Sequence, residues 1–269
     1  MLFNRDALIS CIRHVHAGGL VEEAVFRDHF EVRALTRPGT LLVMADGLPD
    51  TEPLPHPVGL GDLGRLLRAL ETMTTSDEAH IVLSFDTEAA RLTMGSMYGG
   101  AVYMNTLLPE TISTQVLSDT VDWIWSLVEG AASVPLTPTF IHAVLRSIPV
   151  VDAAVVTICV RPSRSWVVVG SESRAHHRFP FPFAQLAVVE PFDVTLEAQL
   201  FATVLKQVTD FTESELIVSG PDGYLAIKEG VYRYVISPVE IDRPPIEWPI
   251  RSGSAAAETG EAQDEEAGA

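Results

Sequence analysis

The sequence predicts an α+β fold of two similar domains, in each of which two helices pack on antiparallel sheets. One observation is that both halves have the same order of elements: a short strand and an amphipathic helix, several strands, a second helix and three more strands. The other is that corresponding helices are offset by about 132 and about 135 residues. Such a nearly constant offset is typical of an internal duplication.

Composition predicts a folded protein that stays out of membranes. With 269 residues and 47% hydrophobic content, the chain is long enough for two cores. Its longest apolar run, residues 153–160, is far shorter than the roughly 18 residues of a membrane span, and no export signal is recognisable at the N-terminus. Cys11 and Cys159 lie in apolar segments, which favours two buried thiols in a reducing cytoplasm over a disulfide or a metal site.

The chain is strongly acidic, with 36 acidic residues against 18 basic ones and a formal net charge of −18. That charge disfavours non-specific adhesion to nucleic acid. If DNA is a partner, the bases must be gathered on one surface and the acids on another. Sixteen of the 18 bases are arginines, and Lys206 and Lys228 are the only lysines.

Helices are predicted where apolar residues recur every three or four positions. The four long ones are residues 6–16, 62–73, 138–148 and 197–211. Each carries a basic residue off its apolar face, and Arg65 and Arg68 are three apart, so they share a face. Gly18-Gly19 ends the first helix.

Strands are predicted from short β-branched and apolar runs between turn residues. In the first half they are residues 2–4, 21–27, 31–35, 40–45, 80–85, 90–94 and 101–106. In the second half they are residues 134–136, 154–160, 165–170, 174–179, 185–189, 215–219, 224–228 and 231–236. A proline-rich stretch from Asp46 to Pro57 predicts a loop.

Between the halves lies a predicted connector with a short helical run that contains Trp123, Ile124 and Trp125. Side chains this large and apolar are not left in water, so they either pack over the domain junction or form a docking surface for a partner peptide. From Ser252 onward the chain has five acids and no base, which predicts a disordered acidic tail. The expected domains are residues 1–107 and 134–243, with a connector at 108–133 and a tail at 244–269.

Three segments resemble the DNA sliding clamps, the family of proliferating-cell nuclear antigen and the shorter processivity clamps of T-even-type phages. Residues 136–159 are similar to the helix, short break and strand that open the second clamp domain. Residues 225–239, with Tyr-Arg-Tyr-Val-Ile-Ser-Pro at 232–238, are similar to the last hairpin and the proline-terminated segment of these clamps, and residues 58–70 resemble their strand-to-helix entry. By element order the resemblance covers roughly residues 1–240.

The resemblance implies a DNA clamp fold and a processivity factor, without catalytic activity or cofactor, that closes into a ring, most simply a homotrimer. The ring would encircle double-stranded DNA, tether a DNA polymerase and other replication proteins, and open spontaneously or with a clamp loader ATPase. Helices would line the channel, with DNA-facing bases at Arg5, Arg13, Arg65, Arg68, Arg146 and Lys206. Subunits would pair through edge strands that contain Ala101, Val102, Tyr103 and Met104 on one side and Arg174, His176 and Arg178 on the other. A partner pocket under the connector would include Trp123, Ile124, Trp125, Val235, Ile236 and Pro238.

Physics supports the same arrangement independently, because a ring that slides needs spaced cations directed at phosphates and no base-specific contacts.

Other sequence signals are weaker. Residues 59–64 match the dinucleotide-binding glycine pattern, but a proline-rich loop precedes them where a buried parallel strand is needed. Two alternatives stay open: a clamp-like adaptor that no longer encircles DNA, and a metal-dependent hydrolase that gathers His14, His142 or His176 with acids.

Overall fold

The structure is a computed structural model that describes residues 2–48, 51–73, 80–86, 91–96, 101–116, 118–129, 131–162, 164–170, 178–182, 190–220 and 223–239. Among these residues no helix is long and apolar enough to cross a membrane. The expected acidic tail lies outside the described residues.

The first half contains two helices, α1 (Arg5–His16) and α2 (Leu63–Thr72). The Asn4 side chain caps α1 by accepting from the N–H groups of Asp6 and Ala7, and the Asp62 side chain caps α2 by accepting from the N–H of Arg65. Helix α1 ends at Ala17, which has a left-handed φ of 47°. The strands are β1 (Leu2–Asn4), β2 (Ala24–Arg27), β3 (Glu31–Leu35), β4 (Leu41–Asp46), β5 (Val58–Leu60), β6 (His80–Asp86), β7 (Arg91–Ser96) and β8 (Ala101–Leu107).

The connector contains helix α3 (Ser118–Ser126). The second half contains α4 (Pro138–Val151), capped by the Thr137 hydroxyl, and α5 (Ala198–Leu205). Its strands are β9 (Ala132–Pro135), β10 (Val155–Val160), β11 (Trp166–Gly170), β12 (Arg178–Pro182), β13 (Phe192–Glu197), β14 (Ser214–Val218), β15 (Leu225–Glu229) and β16 (Tyr232–Ile236).

The two halves share one large antiparallel sheet. Its strand order is β1-β6-β7-β8-β5-β2-β3-β4-β16-β15-β14-β9, and a smaller sheet has the order β12-β11-β10-β13. The seam between the halves is the pair of β4 and β16, in which Met44 lies opposite Arg233 and Leu42 opposite Val235. The main core lies between the sheets and the helices and continues from one half to the other.

Most predicted elements are present with ends shifted by a few residues, and five differ more. The predicted strand at 174–179 is described only as β12, which begins at Arg178, and the one at 185–189 lies outside the described residues. Strand β13 was not predicted. The last helix was predicted to reach residue 211 but ends at Leu205, because the Glu229 carboxylate binds the N–H groups of Thr209 and Asp210 instead. Helix α4 was predicted to stop before Pro149 but continues to Val151, since a proline in the last turn costs only one backbone hydrogen bond there.

Candidate DNA-facing helix layer and connector

Four helices lie side by side in a single layer. Helix α1 packs against α2, α4 packs against α5, and α5 contacts the short turn at Ala17–Gly19 that follows α1. Gly18 makes this last contact possible: its φ is +66°, and a Cβ placed on it would lie 2.8 Å from Cγ2 of Thr203. The order of the layer is therefore α2, α1, α5, α4.

The charge of the layer is opposite in sign to that of the chain. The four helices contain five arginines but only two acids, Asp6 and Glu71, so their formal charge is five minus two, or +3, against −18 for the whole protein. Their apolar faces point into the core through residues such as Ile12, Leu66 and Val144. Exposed residues of the layer are consequently rich in arginine.

Four of the six expected DNA-facing bases are exposed. They are Arg65, Arg68, Arg146 and Lys206. Within the described part of the chain, none of the four is within ion-pair distance of an acid. Lys206 directly follows α5 at its C-terminal end, where a cation is favoured by the helix dipole.

The other two bases are occupied by contacts within the layer. Arg5 donates from Nε to the Leu70 carbonyl at 3.1 Å and from Nη2 to the Glu71 carbonyl at 3.0 Å, so it binds the free carbonyls at the end of α2. Arg13 forms an ion pair of 3.0 Å with Glu71. Arg5 thus joins α1 to α2, and Arg13 presents a partly neutralised charge.

Helix α3 of the connector covers the seam between the halves. On the outer face of the large sheet, a second apolar cluster has one or two residues from each of four adjacent strands: Leu42, Met44, Val235, Ala226 and Ile217. Val121 and Val128 of the connector are buried in this cluster, with Ile124 and Trp125 packed at its margin. Of the two readings of the connector, packing over the junction is the one that the structure supports for these residues.

One charged side chain at this seam, Arg233, contacts the connector, and it belongs to a network of three charged residues. The Arg233 guanidinium lies 4.7 Å from the centre of the Trp125 ring and also pairs with the Asp46 carboxylate. Asp46 in turn pairs with Arg33 at 3.1 Å. These residues were not identified from the sequence, because single charges in separate strands give no local pattern; only the pairing of β4 with β16 brings them together.

The structure separates the residues expected to bind partners. Trp123 is 58% exposed on α3, whereas Val235 is buried beneath the connector. Ile236 is fully buried in the main core on the opposite face of β16, so its placement in a surface pocket is not supported. Pro238 is half-buried just after β16.

The expected subunit edges are two strands from different sheets. Along β8, residues Ala101–Asn105 pair with β7 on one edge, while β5 covers only Thr106 and Leu107 on the other. Ala101 and Tyr103 are exposed and Met104 is half-buried; Val102 lies in the same strand. A cleft of about 390 Å³ beside this edge is lined by Arg65, Tyr103, Met104 and neighbouring residues. Strand β12 is the last strand of the small sheet, beginning at Arg178, and Arg174 and His176 lie outside the described residues.

Buried polar groups at the domain junction are structural. The Nδ1 atom of His14 lies 2.7 Å from the Tyr234 hydroxyl, and its ring stacks on Tyr232 at 3.9 Å. Burial, and secondarily the charge of Arg13, lower the pKa of His14 to about 4. Nε2 of this ring lies 3.8 Å from Oε1 of Glu229, whose same oxygen accepts from Thr209 and Asp210. Burial raises the pKa of the Cys11 thiol to about 12.

The geometry of the described residues supports neither a metal site nor a dinucleotide-binding site. Among the described residues, no three histidine, cysteine or acidic side chains lie close enough together to hold a metal ion. His14 is buried against tyrosines, His142 is exposed on α4, and His176 lies outside the described residues. The glycine pattern at residues 59–64 includes strand β5, which pairs antiparallel with β2 and β8 and therefore does not form a dinucleotide-binding crossover.

No protein-family model matches this chain, and no curated protein matches it in sequence. Among solved structures, A. fulgidus PCNA bound to the C-terminal region of FEN-1 has a TM-score of 0.65 and 14% identity, covering 90% of this chain and 98% of that one. The Thermotoga maritima DNA polymerase III beta subunit has a TM-score of 0.60 and 12% identity, covering 90% and 65%. The Helicobacter pylori beta clamp has a TM-score of 0.64 and 9% identity, covering 91% and 66%.

This chain therefore spans nearly all of the A. fulgidus PCNA chain but only about two thirds of the two beta-subunit chains. At such low identity the likeness shows the fold alone. It confirms the predicted α+β fold with two clamp domains.

Proposed function

We propose that this chain is the subunit of a DNA sliding clamp, a non-enzymatic processivity factor that encircles double-stranded DNA and tethers a polymerase. The observation that carries the proposal is the layer of four helices with a formal charge of +3 in a chain of net charge −18. Within these four helices, bases outnumber acids, whereas acids outnumber bases two to one in the whole chain. Exposed arginines on helix faces contact phosphates without entering a groove, which suits a protein that slides.

Ring closure would use the two different open edges, β8 of one subunit and β12 of the next. Contacts between unlike surfaces repeat head to tail and close into a ring when the rotation allows it. The expected ring is a homotrimer, which at 29.2 kDa per subunit has a mass of about 88 kDa. A clamp loader ATPase, or spontaneous opening, would admit the DNA.

Partner proteins would dock on the outer surface near the connector. Trp123 offers an exposed aromatic side chain there, and Pro238 is the second residue after the seam strand β16. A polymerase and other replication proteins that carry short apolar segments are the proposed partners. The buried free thiols Cys11 and Cys159 are compatible with a reducing cytoplasm.

The test combines mass and topology. Light scattering over a range of concentrations should give about 88 kDa, and a monomer at every concentration would overturn the ring. Subunits concentrated in the presence of a nicked circular plasmid should then co-elute with it and be released when the plasmid is cut once. Equal retention on circular and linear DNA would contradict topological binding.

A clamp-like adaptor that does not encircle DNA is the second candidate. It is favoured by the sequence of the edge strand β12, Arg-Phe-Pro-Phe-Pro, because prolines weaken strand pairing. Under this proposal the chain binds its protein partners as a monomer and shows no preference for circular DNA.

A further inference from the structure

The open edge of β12 is chemically unlike an ordinary strand edge. Pro180 and Pro182 lie in this strand, and each lacks a backbone N–H. Among the described residues, only β11 pairs with β12, so no described strand covers its other edge. What this edge can bind depends on the direction in which the two prolines face.

The register with β11 fixes that direction. Pairing continues without a break from Gly170 opposite Arg178 to Trp166 opposite Pro182. Antiparallel pairs alternate between those that exchange two N–H···O bonds and those that exchange none. Because prolines cannot donate, the bonded pairs must be Val167 with Phe181 and Val169 with Phe179. The backbone of both prolines therefore faces the open edge, which has carbonyl acceptors at 180 and 182 but no N–H at either position; of the residues of β12 that face this edge, Arg178 alone has an N–H.

The edge in the first half that corresponds to the open edge of β12 is the edge of β4, and it is paired within the chain. Strand β4 follows β3 in the order β5-β2-β3-β4, as β12 follows β11 in the order β13-β10-β11-β12. Strand β4 pairs onward with β16: the Asp46 N–H donates to the Val231 carbonyl, and the Thr40 carbonyl accepts from Ser237. Met44 lies between them and faces β16 in the same way, since strand backbones alternate. No proline occurs in β4, so this seam has the donors that β12 lacks.

The duplication also identifies the strand that fits β12. In the second half, β16 follows β15 and supplies the edge that pairs with β4; in the first half, β8 follows β7 in the same position. Both also make a corresponding contact at their C-terminal ends. Leu107 of β8 lies opposite Gly59 of β5, and after β16 the Val239 N–H donates to the Thr195 carbonyl of β13. Residues Ala101–Asn105 of β8 have no second strand partner among the described residues.

We infer that the open edge of β12 binds β8 of a second copy in a one-sided ladder, in which β8 donates to Pro180 and Pro182 and receives nothing from them. This inference rests on the proposed ring. The joint between subunits is then weaker than the seam between domains, although both have the same topology. The ring therefore opens at this joint. Pro182 occupies the position in β12 that Asp46 occupies in β4, so the Asp46–Arg233 ion pair of the seam has no counterpart there.

The experiment restores the missing donors. The variant Pro180→Val/Pro182→Val adds two N–H groups to the edge and places residues favourable for strands there. Pro38→Val, in the exposed turn between β3 and β4, is the matched control. Sedimentation velocity of the full chain over a concentration series should show the midpoint of self-association lowered about tenfold or more in the double variant and unchanged in the control. An unchanged or raised midpoint would overturn the inference.

A second readout tests the identity of the partner strand. Tyr103 and Arg178 occupy the positions in β8 and β12 that correspond to Val235 and Leu42, which lie opposite each other in the seam. Cysteines introduced by Tyr103→Cys and Arg178→Cys should be joined between copies by a short thiol-reactive cross-linker, while the buried Cys11 and Cys159 stay unreactive. Oligomers that form but do not cross-link would exclude β8. If the double variant associates more tightly but shows no preference for circular DNA, the proposed clamp function fails and the inference about the edge stands.

Discussion

Arg65 and Arg68 provide a direct test of the DNA-facing layer, because both are exposed, free of described ion pairs and on one face of α2. The change is Arg65→Gln/Arg68→Gln, which removes two cations without introducing acids. Each phosphate that a cation neutralises contributes about 0.9 to the slope of log K against log salt concentration for duplex DNA. If both arginines contact phosphates, the slope should fall by about 1.8.

The assay is the fluorescence anisotropy of a labelled duplex titrated with the full chain at several salt concentrations. Folding stability should stay within about 0.5 kcal/mol of the wild type, because exposed residues of this kind contribute little. A slope that does not change would refute the assignment of α2 to the DNA channel.

Arg5→Gln is the matched control within the same layer. Its guanidinium binds the Leu70 and Glu71 carbonyls, so the substitution should cost about 1–3 kcal/mol of folding stability and leave the salt slope nearly unchanged. The opposite pattern, a reduced slope with unchanged stability, would mean that Arg5 faces DNA as the family resemblance implied.

Three further predictions concern the junction. The folded-state pKa of His14 is about 4 and its ordinary value is 6.5, so between these values the His14 imidazole takes up a proton only in the unfolded chain, and this group should cost about 3 kcal/mol of stability as pH drops through the window. Urea unfolding at both ends of the window should show a loss of stability larger by about this amount in the wild type than in His14→Gln. Trp125→Ala should lose about 2 kcal/mol because its half-buried ring contacts Arg233, whereas Trp123→Ala should change thermal stability little and weaken polymerase binding in a pull-down. Ile236→Glu should prevent folding because it buries a charge, while circular dichroism should show Pro238→Glu folded; a folded Ile236→Glu protein would contradict the placement of that residue in the core.

Most of the fold could be predicted from local sequence patterns. Helices α1, α2 and α4 have apolar residues at helical spacing and side-chain caps at Asn4, Asp62 and Thr137, and each was predicted to within a few residues. The exposed bases Arg65, Arg68 and Arg146 follow from the same periodicity, because the apolar face fixes the opposite one. Exposure of the α2 and α4 arginines was therefore predictable.

Long-range pairings were not predictable in this way. Arg5 was grouped with the exposed bases, but its partners are backbone carbonyls 65 and 66 residues away, which leave no trace in the local sequence. Ile236 was assigned to a pocket, yet alternation in β16 places Val235 under the connector and Ile236 in the opposite core. Which face of that strand is outermost depends on its pairing with β4, a contact between the two halves.

The seam between β4 and β16 also determines how the molecule melts. Duplicated halves joined by a linker often unfold separately, but here one continuous sheet crosses the boundary, the main core extends beneath it and α3 covers it from above. Neither half can lose its structure without exposing apolar surface of the other. The two repeats consequently form one cooperative unit, and heat should unfold them in a single transition whose calorimetric and van't Hoff enthalpies agree.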